Sequence, residues 1–213
     1  MKLITPHKFK FFKKEFSTKS FNLLDVGAGS HSATKTMAVF SGCNYYGIDI
    51  RRDYENDEND FKVMKGFFEM DLTALNFDAI PNDFFDVMIL SHIIEHLHNG
   101  DKVIEGLLPK LKKGGYIYLE YPGQRSTKLP SMKRTLNFYD DPTHVRVFSV
   151  PEVSEILKRN GFEILKGGTR RHLPYIILFP ASLVVEFIKY KVISGGVFWD
   201  LLGFAEFVLA KKK

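Results

Sequence analysis

The apolar residues of this chain fall into short runs separated by stretches with helical spacing. Leu23, Leu24 and Val26 lack a helical period, which predicts a strand that is buried on both faces of a parallel sheet. A helical repeat over 101–113 instead predicts an amphipathic helix, and the two glycines that follow end it. The same reasoning predicts strands at 23–26, 45–48, 67–70, 83–90, 116–120 and 162–166, and helices at 6–16, 101–113 and 151–160.

A glycine turn follows the first strand, and a carboxylate ends the second. Gly27 and Gly29 turn the chain, and Ser30 or Ser32 can cap the helix that follows. Asp49 lies about twenty residues past the glycines, which is the spacing of an acid that accepts both ribose hydroxyls of a nucleotide. The unit is therefore predicted to bind a nucleoside rather than to form only a tight turn. A P-loop is excluded, because no glycine-rich loop ends in Lys-Ser or Lys-Thr.

The chain resembles the class I S-adenosylmethionine-dependent methyltransferases in its first motif, Leu24-Asp25-Val26-Gly27-Ala28-Gly29-Ser30-His31, where His31 replaces the third glycine. The resemblance extends over nearly the whole chain and includes the ubiquinone-pathway O-methyltransferases. It implies one domain over 1–213 with S-adenosylmethionine as cofactor. It also implies a Rossmann-like α/β fold: a seven-stranded, mostly parallel sheet of order 3-2-1-4-5-7-6, with helices on both faces and an antiparallel last strand at 203–210.

The resemblance further implies a cofactor site at the carboxyl ends of the strands. Asp49 would hold the ribose, Asp71 would bind the adenine amino group, and the backbone amide of Leu72 would meet the ring. A second role for Asp71, as the cap of the turn that follows it, is compatible with the first. The expected cofactor-binding residues are Asp25, Gly27, Ala28, Gly29, Asp49, Ile50, Asp71, Leu72, Ser91 and His92.

Histidines near that edge are the candidates for proton transfer. A hydroxyl acceptor must lose a proton, and imidazole titrates near neutral pH. His96 and His144 are predicted as a catalytic pair, one taking the proton and the other orienting the acceptor, with Glu95 able to orient an imidazole. With His92 they could instead ligate a metal, a pattern that resembles the ubiquinone-pathway enzymes and the small-RNA 2′-O-methyltransferases. A base or scaffold role is the prediction, and no metal is expected.

Two segments without core-forming spacing predict covers over the acceptor, at 122–143 and 172–200. The first is rich in Pro, Ser, Lys and Arg and is too long for an ordinary connection. The second contains an apolar stretch, 173–187, that is shorter than a membrane span. It predicts either a helix packed on the sheet or an apolar lid, with peripheral membrane contact through 173–199 as the open alternative.

Composition and local patterns narrow the remaining choices. Cys43 is the single cysteine of 213 residues, so a reducing cytoplasm is expected, with membrane association left open. The net charge of +5 comes partly from terminal lysines, which predict solvated ends rather than nucleic-acid contacts. Phenylalanines of the 6–16 helix are expected to cover an edge of the sheet, His7 to lie at the surface, and 51–60 to be a solvated loop.

The acceptor is predicted from what the sequence lacks. It has no Pro-Pro motif of the kind used for amino-group methylation of DNA bases, and its cysteine is misplaced for C5 methylation. The predicted function is methyl transfer from S-adenosylmethionine to a hydroxyl of a small molecule, a glycan or a lipid-linked precursor. The alternatives are a non-catalytic S-adenosylmethionine-binding or regulatory protein, and an RNA 2′-O-methyltransferase.

Overall fold

A seven-stranded sheet lies at the centre of the protein, whose computed structural model describes residues 4–213. The first three residues of the predicted 1–213 domain lie outside the described residues. The strand order is β3-β2-β1-β4-β5-β7-β6, and β7 is antiparallel to both neighbours while the other pairs are parallel. The strands are β1 (Phe21–Val26), β2 (Cys43–Asp49), β3 (Met64–Glu69), β4 (Phe85–Ser91), β5 (Leu111–Pro122), β6 (Phe162–Thr169) and β7 (Ala205–Lys212). The predicted sheet order and the antiparallel last strand are confirmed.

β1 lies between β2 and β4 in the middle of the parallel part of the sheet. Its apolar run is fully buried, as expected for a strand with helices on both faces. Val26 stands opposite Ile48 on one side and Leu90 on the other. The loops that follow these three strands therefore start at one edge of the sheet, where open α/β folds bind ligands.

Helices cover both faces of the sheet. One face packs against the buried sides of two amphipathic helices that include Val103 and Val153, and the other face packs against the N-terminal phenylalanines and the helix after the glycine turn. The α-helices are α1 (His7–Lys10), α2 (Lys13–Phe16), α3 (Ser32–Met37), α4 (Glu58–Val63), α5 (Gly100–Leu107), α6 (Val150–Arg159), α7 (Leu173–Ile177), α8 (Phe179–Tyr190) and α9 (Trp199–Leu202).

Two helices differ from their predictions. The helix expected over 101–113 ends at Leu107, because Pro109 has no backbone N–H to continue the α-helical hydrogen bonds. A 3₁₀ turn over Leu108–Lys110 follows, and β5 already begins at Leu111. The helix expected over 6–16 is two short helices, α1 and α2. Their phenylalanines pack on a face of the sheet, against residues of β1, β4 and β5, rather than on its edge.

The apolar segment after β6 forms α7 and α8 but does not pack on the sheet. Every residue of both helices is at least partly exposed, and Ile177, Val185 and Ile188 are 67%, 62% and 65% exposed. Only a narrow inner side that includes Phe179 and Leu183 is half-buried. The alternative of a helix packed on the sheet is therefore wrong. No helix within residues 4–213 is both long enough and apolar enough to cross a membrane.

Candidate functional site

A cleft lies at the edge where β1, β2 and β4 end. Gly27 follows β1 with a φ of 80°, which glycine adopts without strain, and a Cβ there would come within 3.1 Å of the Ile93 side chain. A Cβ on Gly29 would come within 2.8 Å of the Tyr54 ring. The two glycines thus let the backbone form the floor of a cleft of about 540 Å³.

Seven of the ten predicted cofactor residues line this cleft. Asp49 lies at the end of β2, where its Oδ1 accepts the backbone N–H of Ile50 at 2.7 Å, and burial raises the pKa of Asp49. Asp25 is held below by the hydroxyls of Ser32 and Tyr45, which donate to its Oδ2 at 2.7 and 2.8 Å. The seven lining residues are Asp25, Gly27, Gly29, Asp49, Ile50, Ser91 and His92.

The other three predicted cofactor residues lie outside the cleft wall that the described residues form. Ala28 is buried, and its N–H donates to the Ile48 carbonyl at 2.9 Å. Asp71 accepts the backbone N–H and the hydroxyl of Thr73 at 2.8 and 2.7 Å, and these bonds lower its pKa. The structure therefore shows the capping role of Asp71, with Leu72 buried beneath it. Its adenine-binding role stays a prediction.

The loop predicted to be solvated is mostly exposed, and it also folds over the glycine turn. The N–H of His31 donates to the Glu55 carbonyl at 3.2 Å, and the Asn56 side-chain amide donates to the Ala28 carbonyl at 2.7 Å. Asp60 is fully buried and lies 2.7 Å from the His31 ring. Tyr54 and Glu55 therefore join the cleft wall. Sequence reasoning missed several lining residues, of which the polar ones are Lys8, Ser30, Ser32, Lys35, Tyr54, Glu55, Asp141 and Thr143.

His92 lies between two buried carboxylates. Its Nδ1 is 3.2 Å from Glu95 Oε1, and its Nε2 is 3.2 Å from Glu120 Oε1. Because carboxylates only accept hydrogen bonds, both ring nitrogens carry hydrogen and the ring is an imidazolium. Burial alone would lower the pKa of His92, but the two carboxylates outweigh it and raise this pKa to about 9. An imidazolium held between two carboxylates is poorly suited to accept a proton or to bind a metal ion.

Glu120 anchors this charged cluster at the end of β5. Arg170 donates to it at 2.8 Å and also pairs with Asp200 at 2.8 Å, and the Tyr118 hydroxyl donates to its other oxygen. Burial would raise the pKa of Glu120, yet the positive charge of Arg170 holds this pKa well below its usual range. Sequence reasoning missed Glu120 and Arg170, because no local spacing connects residues that are fifty positions apart.

His96 is oriented by a hydrogen-bonded chain that starts at Asp141. The Thr143 hydroxyl donates to Asp141 Oδ1 at 2.5 Å, so its oxygen accepts the Nδ1–H of His96 at 2.8 Å. In the neutral ring this tautomer leaves the lone pair on Nε2. His96 lines both the cleft and a smaller adjoining cavity of about 120 Å³.

A backbone contact brings the segment that carries His144 next to His96. The carbonyl of Glu95 accepts the N–H groups of Val145 and Arg146 at 2.9 and 3.2 Å, which brings this segment against the turn after β4. The Nδ1–H of His144 donates to the Phe138 carbonyl at 2.7 Å, so its lone pair also lies on Nε2. The centroids of the His96 and His144 rings are 4.7 Å apart, and the role of these residues as a catalytic pair stays a prediction.

Glu95, His96 and His144 form a group that could also hold a metal. Each offers one ligand atom, and these atoms lie within 4.8 Å of one another. Glu95 Oε2 is buried and has no hydrogen-bond partner within residues 4–213. The imidazolium of His92, which bonds the other oxygen of Glu95, adds a positive charge that opposes a divalent cation here. The expectation of no metal stays a prediction.

A family comparison decides what kind of protein carries this cleft. A family model described as a methyltransferase domain matches residues 5–166. The chain belongs to this family. It is a class I S-adenosylmethionine-dependent methyltransferase, as the motif at the glycine turn predicted. No curated protein matches the sequence.

Solved structures show the same fold at low sequence identity. A methyltransferase from Mesorhizobium loti has a TM-score of 0.64 at 13% identity, over 92% of this chain and 93% of that one. One from Archaeoglobus fulgidus has a TM-score of 0.59 at 18% identity, over 96% and 91%. Phosphoethanolamine N-methyltransferase 2 from Haemonchus contortus, in complex with S-adenosylmethionine, has a TM-score of 0.63 at 16% identity, over 93% of this chain and 50% of that one.

S-adenosylmethionine is the cofactor, and the cleft of this methyltransferase fits it. The floor of the cleft is a backbone turn at Gly27 and Gly29, where an added Cβ would meet Ile93 or Tyr54. Because these glycines have no side chain, a ligand can approach the main chain closely. Asp49 presents a half-buried carboxylate at the end of β2, which suits the two ribose hydroxyls. The cleft volume of about 540 Å³ lies within the usual range for cofactor sites.

Proposed function

We propose that this methyltransferase methylates a hydroxyl oxygen of a small molecule, a glycan or a lipid-linked acceptor, with His96 as the proton acceptor. The observation that carries the proposal is the chain from Asp141 through Thr143 to His96, which places a lone pair on His96 Nε2. A hydroxyl acceptor must lose its proton when it is methylated, and a lone pair beside the cleft can accept that proton.

The acceptor position follows from two cavities that meet. The cleft and the cavity of about 120 Å³ share His92, His96 and Asp141 in their walls. His144 and Trp199 line the far side of the smaller cavity. An acceptor in that cavity lies next to the cofactor and touches both catalytic histidines, which is the proximity that a displacement reaction requires.

The reaction assigns one role to each side chain. When bound, S-adenosylmethionine supplies a methyl group on a positively charged sulfur. Held in the cleft with its ribose on Asp49, the cofactor would supply this methyl group to the acceptor oxygen, and the hydroxyl proton of the acceptor would pass to His96 Nε2. His144 orients the acceptor, and the carboxylate of Asp141 stabilises the imidazolium that forms on His96.

The predicted covering segments agree with this arrangement. Thr135 and Asp141 come from the 122–143 segment, and Tyr175 and Trp199 come from the 172–200 segment. Since the seven strands over 21–212 join one sheet, we assign the chain to one domain with these two covers.

The test is turnover on acceptor pools. Purified protein and S-adenosylmethionine are incubated with hydroxylated small molecules and glycans, with lipid-linked alcohols, with amines including phosphoethanolamine, and with RNA. S-adenosylhomocysteine formation and the methylated atom are then determined. We expect an O-methyl product from one of the hydroxyl pools. His96→Gln should lower kcat by about a hundredfold, and the variant should bind S-adenosylhomocysteine with the same affinity as the wild type.

Each alternative has its own outcome in the same experiment. An N-methyl product would place the protein with enzymes such as the Haemonchus contortus phosphoethanolamine N-methyltransferase and would contradict the hydroxyl assignment. Product formed only from RNA would support 2′-O-methylation of RNA instead. Tight binding of S-adenosylhomocysteine without turnover on every pool would support a non-catalytic binding protein.

A further inference from the structure

The outer side of α7 and α8 is an apolar surface with solvent around it. We call it the outer face, and it consists of Leu173, Ile177, Leu178, Val184, Val185, Phe187 and Ile188, which are between 45% and 67% exposed. We propose that the outer face docks on a bilayer that contains anionic phospholipids. Contiguous exposed apolar surface of this kind marks an interaction site in a folded protein.

The orientation of α8 is fixed by its opposite side. Phe179 contacts the Phe198 ring at a centroid distance of 5.2 Å, and Glu186 accepts hydrogen bonds from the N–H and hydroxyl of Ser194. These contacts attach the inner side to the 194–198 segment. The helix therefore has polar and aromatic anchors on the inside and aliphatic side chains toward solvent, the reverse of a helix that stabilises its own domain.

The charges around the outer face match an anionic bilayer. Glu186 is the single acidic residue in 173–199, and its carboxylate is turned inward to Ser194. Lys189 and Arg134 both lie against the Tyr190 ring, at 4.9 and 4.6 Å from its centroid, and Lys191 follows directly. Cations and a tyrosine at the border of an aliphatic surface suit the headgroup region of a membrane.

Another cavity, separate from the cleft and the acceptor cavity, lies at the border of the outer face. It has a volume of about 250 Å³ and is lined by Lys133, Arg134, Tyr190 and Val192 together with Glu186 and Ser194. The two cations outnumber the one carboxylate, that of Glu186, which accepts hydrogen bonds from Ser194. Together with the tyrosine hydroxyl they can bind a phosphate group, while the neighbouring aliphatic side chains can contact acyl chains. This combination favours phospholipid over a protein partner, whose docking would not require a basic cavity next to the apolar surface.

Docking would also bring the acceptor cavities to the membrane. Tyr175 of α7 lines a cavity with His92 and Arg170, and Trp199 follows the anchoring segment and lines the cavity with His96. If the proposed O-methylation holds, this placement favours the lipid-linked class among its acceptors. Binding to the bilayer itself does not depend on that function.

The test is cosedimentation with phosphatidylcholine vesicles made with and without phosphatidylglycerol, in the absence of cofactor and acceptor. We expect binding only to the anionic vesicles and a loss of binding at high salt. Lys189→Gln/Lys191→Gln should weaken binding about thirtyfold, since each surface lysine contributes about 1 kcal/mol. Val185→Ser/Ile188→Ser should weaken it at least as much. The matched controls are Lys62→Gln/Lys65→Gln and Leu165→Ser, which change exposed residues elsewhere.

The proposal is overturned if the wild-type protein stays in the supernatant with anionic vesicles, or if the control variants lose binding to the same extent. It is also overturned if sedimentation velocity shows a dimer that Val185→Ser/Ile188→Ser dissociates, because a second copy would then cover the outer face. Turnover on a water-soluble acceptor, measured with the same variants, separates the two proposals. Vesicle binding without turnover would contradict only the proposed function.

Discussion

Asp49→Asn provides the sharpest test of the cofactor site. The Asp49 carboxylate is half-buried at the end of β2, and two ribose hydroxyls would donate to it. A hydrogen bond to a charged group contributes about 1.5–3 kcal/mol. Asparagine keeps an oxygen for the N–H of Ile50, which is 2.7 Å away in the wild type, but it loses the charge and one acceptor. We therefore expect S-adenosylhomocysteine to bind about 10- to 150-fold more weakly.

Calorimetric titration with S-adenosylhomocysteine measures this difference directly. Burial raises the pKa of Asp49, so protonation of this carboxyl occurs at a higher pH than for an exposed aspartate. Only the ionised form accepts both hydroxyls, and the wild-type affinity should therefore fall as the pH decreases through that raised pKa. Asp49→Asn should lack this pH dependence.

The control is Asp53→Asn, which removes a charge from an exposed aspartate of the same loop region. Unfolding measured without ligand shows whether each variant is folded. Unchanged affinity in a folded Asp49→Asn protein would refute the ribose assignment. An equal loss in Asp53→Asn would show that the effect is one of overall charge.

Three further outcomes are expected. His144→Ala should lower kcat about a hundredfold at unchanged cofactor affinity; a loss of thermal stability with turnover per folded molecule preserved would make His144 structural. Dialysis against EDTA should leave turnover unchanged, and activity restored by Mg²⁺ or Mn²⁺ after a loss would contradict this. Hydrogen bonds from His31 and neighbouring donors lower the pKa of Asp60 to about 2 despite its burial. The ionised carboxylate should therefore contribute its full stabilisation to the fold above the ordinary aspartate pKa of 3.8. The free energy of unfolding should fall as the pH drops toward 2, and Asp60→Asn should flatten this decline; parallel pH profiles would exclude such a role.

The sheet was predictable because its strands are local features. Runs such as 23–26 and 116–120 are buried on both faces, so they appear as apolar stretches without a period. The strand order came from the resemblance to the methyltransferase family, not from the runs themselves. Helix ends were less accurate, because the 101–113 pattern continues through Pro109 into β5, whose first residue is as apolar as a helix position.

The candidate site was predictable only where its residues end a strand or directly follow one. Gly27, Asp49 and Ser91 are of this kind, and the parallel register brings them together. Glu120 and Arg170 meet through tertiary packing alone, so no spacing could indicate their ion pair. The apolar residues of α8 led to the wrong prediction of a helix packed on the sheet. An apolar segment is usually buried, and the sequence does not show whether its apolar side faces the core or the solvent.

The two histidines after β4 show why residue type and spacing did not settle the chemistry. His92 and His96 are four positions apart and belong to the same turn, yet their partners differ. Two carboxylates enclose His92 and fix it as a cation, while a threonine hydroxyl holds His96 as a tautomer with a lone pair on Nε2. The direction of these hydrogen bonds is the reason that we propose His96 as the proton acceptor. The positive charge on His92 has a different consequence, since it opposes a metal ion at Glu95. It therefore supports our proposal of general-base rather than metal-assisted methyl transfer.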